Sequence, residues 1–218
     1  FYTDVLLSAA KAALIKIAQF TADKKMLVFV GVPFKKDGLI YNTAAACANG
    51  KVLGLVPKTY LPNYNEFYEK RCFAATDGGY SEVKLGEDEK GDMVTVPFSR
   101  NLIFCDESEE SFKVAAEICE DLWTPVPPSI SHAVHGARVI VNLSASDENT
   151  GKIEYRRNLV ATHSSKTVSV YVYANAGDGE STTDTVFSGH SLIAENGEII
   201  AETVPFDNGL ATACVDLE

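Results

Sequence analysis

Two Asn-Gly dipeptides, Asn49-Gly50 and Asn196-Gly197, each separate a pair of apolar runs rich in β-branched residues. Both residues of such a dipeptide tolerate positive φ, which a two-residue hairpin turn requires, so each predicts a pair of antiparallel strands. The stretch between the two hairpins has a different rhythm. "FKVAAEIC" and "ARVIVNLSAS" read as buried strands, with "PPSISHAVHG" between them as a short helix after prolines. "GKIEYRRNLVATHSSKT" follows as a helix and "VSVYVYANAG" as a further strand. Long hairpins combined with alternating β and α units predict an α/β (α+β) chain with two mixed sheets and outer helices, rather than one doubly wound parallel sheet. Upstream, "YTDVLLSAAKAALIKIAQFTAD" has apolar residues at helical spacing and predicts a helix over about residues 4–22. "MLVFVGVPF" (26–34) reads as a buried strand, and "DGGYSEVKLGEDEKGDM" (77–93), acidic and weakly periodic, as an exposed loop. No repeat or low-complexity linker stands out, so a single domain over 1–218 is expected.

Of the 218 residues 46% are hydrophobic, which is enough for a buried core and argues against disorder. The formal net charge of −11 disfavours nucleic acid and anionic membrane surfaces, which are bound by basic faces. No apolar stretch approaches the ~20 residues needed to span a bilayer, and no signal-peptide pattern is present. The five cysteines, Cys47, Cys72, Cys105, Cys119 and Cys214, form no C-x-x-C pair. That pattern suits a reducing, cytoplasmic setting without a disulfide framework or zinc knuckle. His132 and His135 could share a helix face, but no third ligand is near, so no metal is expected. The chain starts at "FYTDVLL" and stops after "GLATACVDL", and reads as a piece of a longer polypeptide.

Chemistry centres on "AAEICEDLWTP" (115–125). A buried cysteine ordinarily behaves as a small hydrophobe. Here a buried strand ends at Cys119 and the breakers of "EDLWTPVPP" force a sharp turn. A nucleophile at such an elbow presents its side chain, with the backbone N–H of the next residue, Glu120, available to an oxyanion. The thiolate is the reactive form and needs a base or a cation beside it. None of the four histidines falls in a Cys–His signature. Lys58, which leaves a buried strand just before the aromatic-rich loop "YLPNYNEFY", is the better candidate, although most lysines are simply solvated.

The blocks "KTYLPNYNEFYEKRCF", "EICEDLW", "NLSAS", "YRRNLV" and "YANAGDGESTTDTVFSGHSLIAENG" together resemble the carbon–nitrogen hydrolase (nitrilase) superfamily over nearly the whole chain. More narrowly, they resemble the glutamine amidotransferase domains of glutamine-dependent NAD synthetases, the last block being the most specific. The resemblance implies a four-layer α-β-β-α sandwich, incomplete at the N-terminus, and a Glu–Lys–Cys triad. Cys119 matches the nucleophile, and Lys58 the lysine that would lower the thiol pKa and help the N–H of Glu120 stabilise an oxyanion. Glu66 matches an additional glutamate that supports the lysine and positions substrate. Tyr64, Ser146 and Lys152 match glutamine-binding positions, with Lys152 facing the α-carboxylate and Trp123 walling the pocket. Blander roles stay open: Ser146 as a helix N-cap, Lys152 as a surface charge, Tyr64 and Trp123 as core.

The triad glutamate, the general base, belongs to a segment ahead of "YTDVLLSAA", and neither Glu117 nor Glu120 is an obvious substitute. The 218 residues alone are therefore expected to be slow, by roughly 10²–10⁴-fold. The resemblance further implies L-glutamine as substrate and a homo-oligomer. A C-terminal NAD synthetase domain would use the ammonia, ATP and Mg to amidate nicotinic acid adenine dinucleotide, with no cofactor in the present domain. "GDGES" lacks the spacing and lysine of a phosphate loop. Two other readings remain: a stand-alone nitrilase-type ω-amidase, and a catalytically impaired scaffold that mediates oligomerisation.

Overall fold

The computed structural model describes residues 3–87, 93–177, 179–181 and 185–217. Although the sequence shows no linker, contacts divide the chain into two compact units, Phe1–Leu102 and Ile103–Glu218.

The first unit opens with helix α1 (Asp4–Phe20), followed by β1 (Val28–Lys36), β2 (Leu39–Ala48), β3 (Lys51–Pro57), β4 (Ser81–Glu87) and β5 (Met93–Phe98). The strands form one mixed sheet in the order β1-β2-β3-β5-β4, in which β3 and β5 run parallel and the other pairs antiparallel. The β2–β3 turn is the expected one, with Asn49 at φ 51° and Gly50 at φ 78°. A second tight turn, Asp37-Gly38, joins β1 to β2 with the same pair of left-handed residues. Leu14 and Ala18 of α1 close over Val32, Phe34, Leu55, Val83, Val96 and Phe98. The loop expected over 77–93 is corrected here: residues 81–87 are β4, antiparallel to β5, with Val83 and Leu85 turned inward. Residues 88–92 of that stretch lie outside the described residues, as do 178 and 182–184 of the "GDGESTTD" block.

The second unit comprises β6 (Ile103–Cys105), β7 (Lys113–Ile118), α2 (Glu120–Trp123), α3 (Pro128–Val134), β8 (Val139–Ser144), α4 (Lys152–Thr167), β9 (Val170–Asn175), β10 (Leu192–Glu195) and β11 (Glu198–Glu202). Its mixed sheet runs β11-β10-β9-β8-β7-β6, with β7, β8 and β9 parallel and the outer pairs antiparallel. The predicted hairpin turns at Asn196 (φ 47°) and Gly197 (φ 100°). Parallel neighbours need a crossover, and α3 and α4 provide the two. Val160 of α4 packs on Ala115, Ile140, Tyr171, Tyr173, Leu192 and Ala194, which are alternate residues on one face of the sheet. The register aligns Glu117 with Asn142 and Asn142 with Tyr173, so three polar side chains stand at one level among these apolar neighbours. Among the described residues, no helix is long and apolar enough to cross a membrane.

Candidate active site

In the second unit, β7 ends at Ile118 and α2 begins at Glu120, leaving Cys119 alone to turn the chain. It does so at φ 45° and ψ −100°, a conformation that a side chain with a Cβ adopts at a cost of about 1–3 kcal/mol. Hydrogen bonds on either side hold it. The Cys119 N–H donates to Asn142 Oδ1 at 2.9 Å, and the Ile118 N–H donates to Asp121 Oδ2 at 2.9 Å. The Leu122 N–H closes the turn on the Cys119 carbonyl at 3.1 Å. The residue is 8% exposed. Burial, with the neighbouring Cys119 side chain adding to the effect, pushes the Tyr173 phenol up to about 12.

Behind the elbow lies a buried polar cluster that sequence reasoning missed. The Glu117 carboxylate accepts the Ser129 N–H at 3.0 Å and the Tyr171 hydroxyl, and Asn142 Nδ2 donates to the Tyr171 oxygen at 3.0 Å. Ser129 Oγ and His163 Nε2 share a hydrogen bond of 2.7 Å, and the His163 ring meets Tyr171 edge-on at 5.4 Å between centroids. Burial pushes the Glu117 carboxyl above its ordinary range and, with Lys166 adding to the effect, brings His163 down to about 4. The available signal was a glutamate, an asparagine and tyrosines inside otherwise apolar strands.

Two expected binding residues of this unit occupy built positions. Ser146 is buried; its N–H donates to Asn175 Oδ1 at 2.9 Å and its carbonyl accepts Asn175 Nδ2 at 3.1 Å. It is not a helix cap, since Gly151 at φ 84° holds that place for α4. Lys152, the first residue of α4, pairs with Asp147 and sets its ammonium 5.6 Å from the centre of the Trp123 ring. Trp123 in turn stacks on Tyr155 at 5.5 Å and 10°. Lys152 is thus held by an anion and a π-face, and is not a solvated surface charge. Glu120 is half-buried at the start of α2. Further into the unit, the fully buried Arg156 donates to Glu148 Oε2 at 3.1 Å and to His190 Nδ1 at 3.0 Å, while the Ser188 hydroxyl donates to the same Glu148 oxygen at 2.6 Å.

In the first unit, Lys58 follows β3 directly and is 1% exposed. Its ammonium donates to both carboxylate oxygens of Glu69, at 2.8 and 2.7 Å. The expected supporting carboxylate was Glu66. The loop instead delivers Glu69, which opens a short 3₁₀ turn (Glu69–Arg71), and Glu66 stays half-buried three residues upstream. Tyr64, in the same loop, is half exposed and packs edge-on against Phe67 at 5.9 Å. Among the described residues, no group of three His, Cys, Asp or Glu is placed to hold a metal ion.

With this geometry in hand, comparison with known proteins gives a consistent answer. A glutamine-dependent NAD(+) synthetase of Mycobacterium bovis is 40% identical over 215 residues, covering 99% of this chain and 31% of the relative. The chain thus spans about a third of the length of the curated relatives it matches. A crystal structure of a glutamine-dependent NAD(+) synthetase from Cytophaga hutchinsonii superposes with a TM-score of 0.77 at 28% identity, over 92% of this chain and 31% of that one. A carbon-nitrogen hydrolase from Helicobacter pylori G27 shares the fold, with a TM-score of 0.70 at 20% identity over 96% of this chain and 68% of its own. The profile of one family, carbon-nitrogen hydrolase, matches residues 2–218 and so runs through both units. By its strands, its cysteine elbow and this match, the chain belongs to the carbon–nitrogen hydrolase family.

Proposed function

We propose that this chain hydrolyses the side-chain amide of L-glutamine through a thioester on Cys119, and that the ammonia serves an ATP- and Mg-dependent NAD synthetase domain of the same parent polypeptide. The observation that carries the reading is the Cys119 elbow, whose strained backbone is held by bonds to Asn142 and Asp121. The thiolate attacks the amide carbon, forming the C–S bond and an oxyanion. The C–N bond then breaks as the nitrogen gains a proton, and ammonia leaves. Water attacks the thioester, releasing glutamate and restoring the thiol.

Because the N–H of Cys119 is spent on Asn142, the oxyanion takes its backbone donor from the Glu120 N–H at the start of α2. Lys58 is the family's catalytic lysine, and the two oxygens of Glu69 orient it. Within the second unit, Ser146 and Lys152 bind glutamine, with Trp123 as a wall and the Lys152 ammonium meeting the α-carboxylate. Proton transfers belong to the family's triad glutamate, which the resemblance assigns to a segment ahead of residue 1. The full protein works in the cytoplasm as a homo-oligomer.

A glutamine-like electrophile, diazo-oxo-norleucine, tests the reading. An adduct on Cys119, absent in Cys119→Ala and prevented by excess glutamine, is expected. Labelling elsewhere, or glutaminase activity that survives Cys119→Ala, would refute it.

A further inference from the structure

The direction of each hydrogen bond behind the elbow follows from chemistry. A backbone N–H can only donate, so the Asn142 atom 2.9 Å from the Cys119 nitrogen is the amide oxygen. The amide NH₂ must then face the Tyr171 oxygen, 3.0 Å away. A phenol that accepts there turns its own proton to its other neighbour, the Glu117 carboxylate, whose second oxygen takes the Ser129 N–H at 3.0 Å. Ser144 Oγ adds a second donor to Asn142 Oδ1 at 3.0 Å. The bonds thus share one sense, from the nucleophile's backbone through two side chains to a carboxylate. Glu117, Asn142 and Tyr171 are each no more than 1% exposed.

Burying a carboxylate in this place is expensive, and a core of hydrophobes would be the more stable choice. What the polar chain adds is orientation. A fully satisfied buried network holds one arrangement. This one ends on the residue whose φ and ψ most need holding.

We propose that Asn142, oriented by Tyr171 and Glu117, is the positioning residue of the Cys119 nucleophile. The assignment rests on the reading of Cys119 as nucleophile and goes beyond it: the amide of Asn142 fixes the elbow's backbone, and the Tyr171 hydroxyl prevents that amide from turning over.

The test uses the intact protein and three readouts: the rate of Cys119 labelling by diazo-oxo-norleucine, kcat and KM for glutamine, and far-ultraviolet circular dichroism for folding. Asn142→Ala is expected to lower both kcat and the labelling rate by about 10²-fold while leaving KM little changed, since a nucleophile out of place loses rate rather than affinity. Tyr171→Phe keeps the ring in the core and removes only the hydroxyl. It is expected to fold, with kcat and labelling lowered by about tenfold, the scale of one misdirected hydrogen bond. Labelling and kcat at unmodified levels in folded Tyr171→Phe and Asn142→Ala protein would overturn the proposal. Failure of the unmodified protein to label at Cys119 would instead overturn the nucleophile reading, and this assignment with it.

Discussion

At Lys58 the decisive contact is one the sequence does not spell out. The ammonium is 1% exposed and both oxygens of Glu69 hold it. Removing that carboxylate leaves a buried, uncompensated cation, which in a fully buried pair costs about 3–5 kcal/mol. Glu69 itself keeps 25% of its side chain in solvent, so Glu69→Gln is expected to lower unfolding stability by about 2–4 kcal/mol, with kcat falling too. Glu66→Gln is expected to stay within about 0.5 kcal/mol of the unmodified chain. Urea denaturation of the two variants side by side checks both. Lys58 could be singled out beforehand because a lysine leaving a buried apolar strand is unusual. Its partner could not. The loop from Lys58 to Glu69 has no period to count along, and its course depends on local choices such as the left-handed backbone of Asn65, φ 49°.

Among the elements, the hairpins were the most legible, because an Asn-Gly pair carries its own backbone requirement. Gly197 makes that requirement measurable. Its φ is 100°, and a Cβ added there would lie only 3.1 Å from the Cβ of Ser165, so Gly197→Ala combines backbone strain with crowding. A loss of about 1–2 kcal/mol is expected, read as a lowered thermal midpoint with unchanged labelling at Cys119. Strand β4 escaped notice for a related reason. A register shift between Lys84 and Gly86, the latter at φ 126°, breaks the inside–outside alternation that Val83 and Leu85 begin. Strand β6 has three residues and α2 four, too few for any period to show.

Across the whole molecule, stability should carry the signature of its buried titrating groups. His163 titrates at about 4 in the folded chain against 6.5 unfolded, because burial, aided by Lys166, disfavours its cation. Between those values the unfolded chain binds a proton that the folded chain refuses. Its contribution, roughly 3 kcal/mol, is therefore full above pH 6.5 and is lost as pH falls towards 4. Glu117 acts in the opposite sense: its raised folded pKa means that the native state takes up the proton first, so stability is gained as pH falls through that raised value. The difference between unmodified and His163→Gln stability curves, measured from about pH 4 to 8, isolates the first effect and is expected to flatten above pH 6.5. None of this was readable beforehand, although Cys119 was. A nucleophile shows itself by its place at the end of a strand, whereas Glu117, Asn142 and Tyr171 become neighbours only through the register of three strands spread over more than fifty residues. The Arg156 site extends the same lesson to inheritance. A guanidinium entirely out of water is tied to Glu148 and His190, with the Ser188 hydroxyl on the same Glu148 oxygen, so losing Arg156 or Glu148 strands a buried charge and losing His190 or Ser188 removes a hydrogen bond that holds the pair. Descendants of this chain should therefore keep the four as a set or exchange them together, and an aligned collection of its kin should show these positions drifting in step.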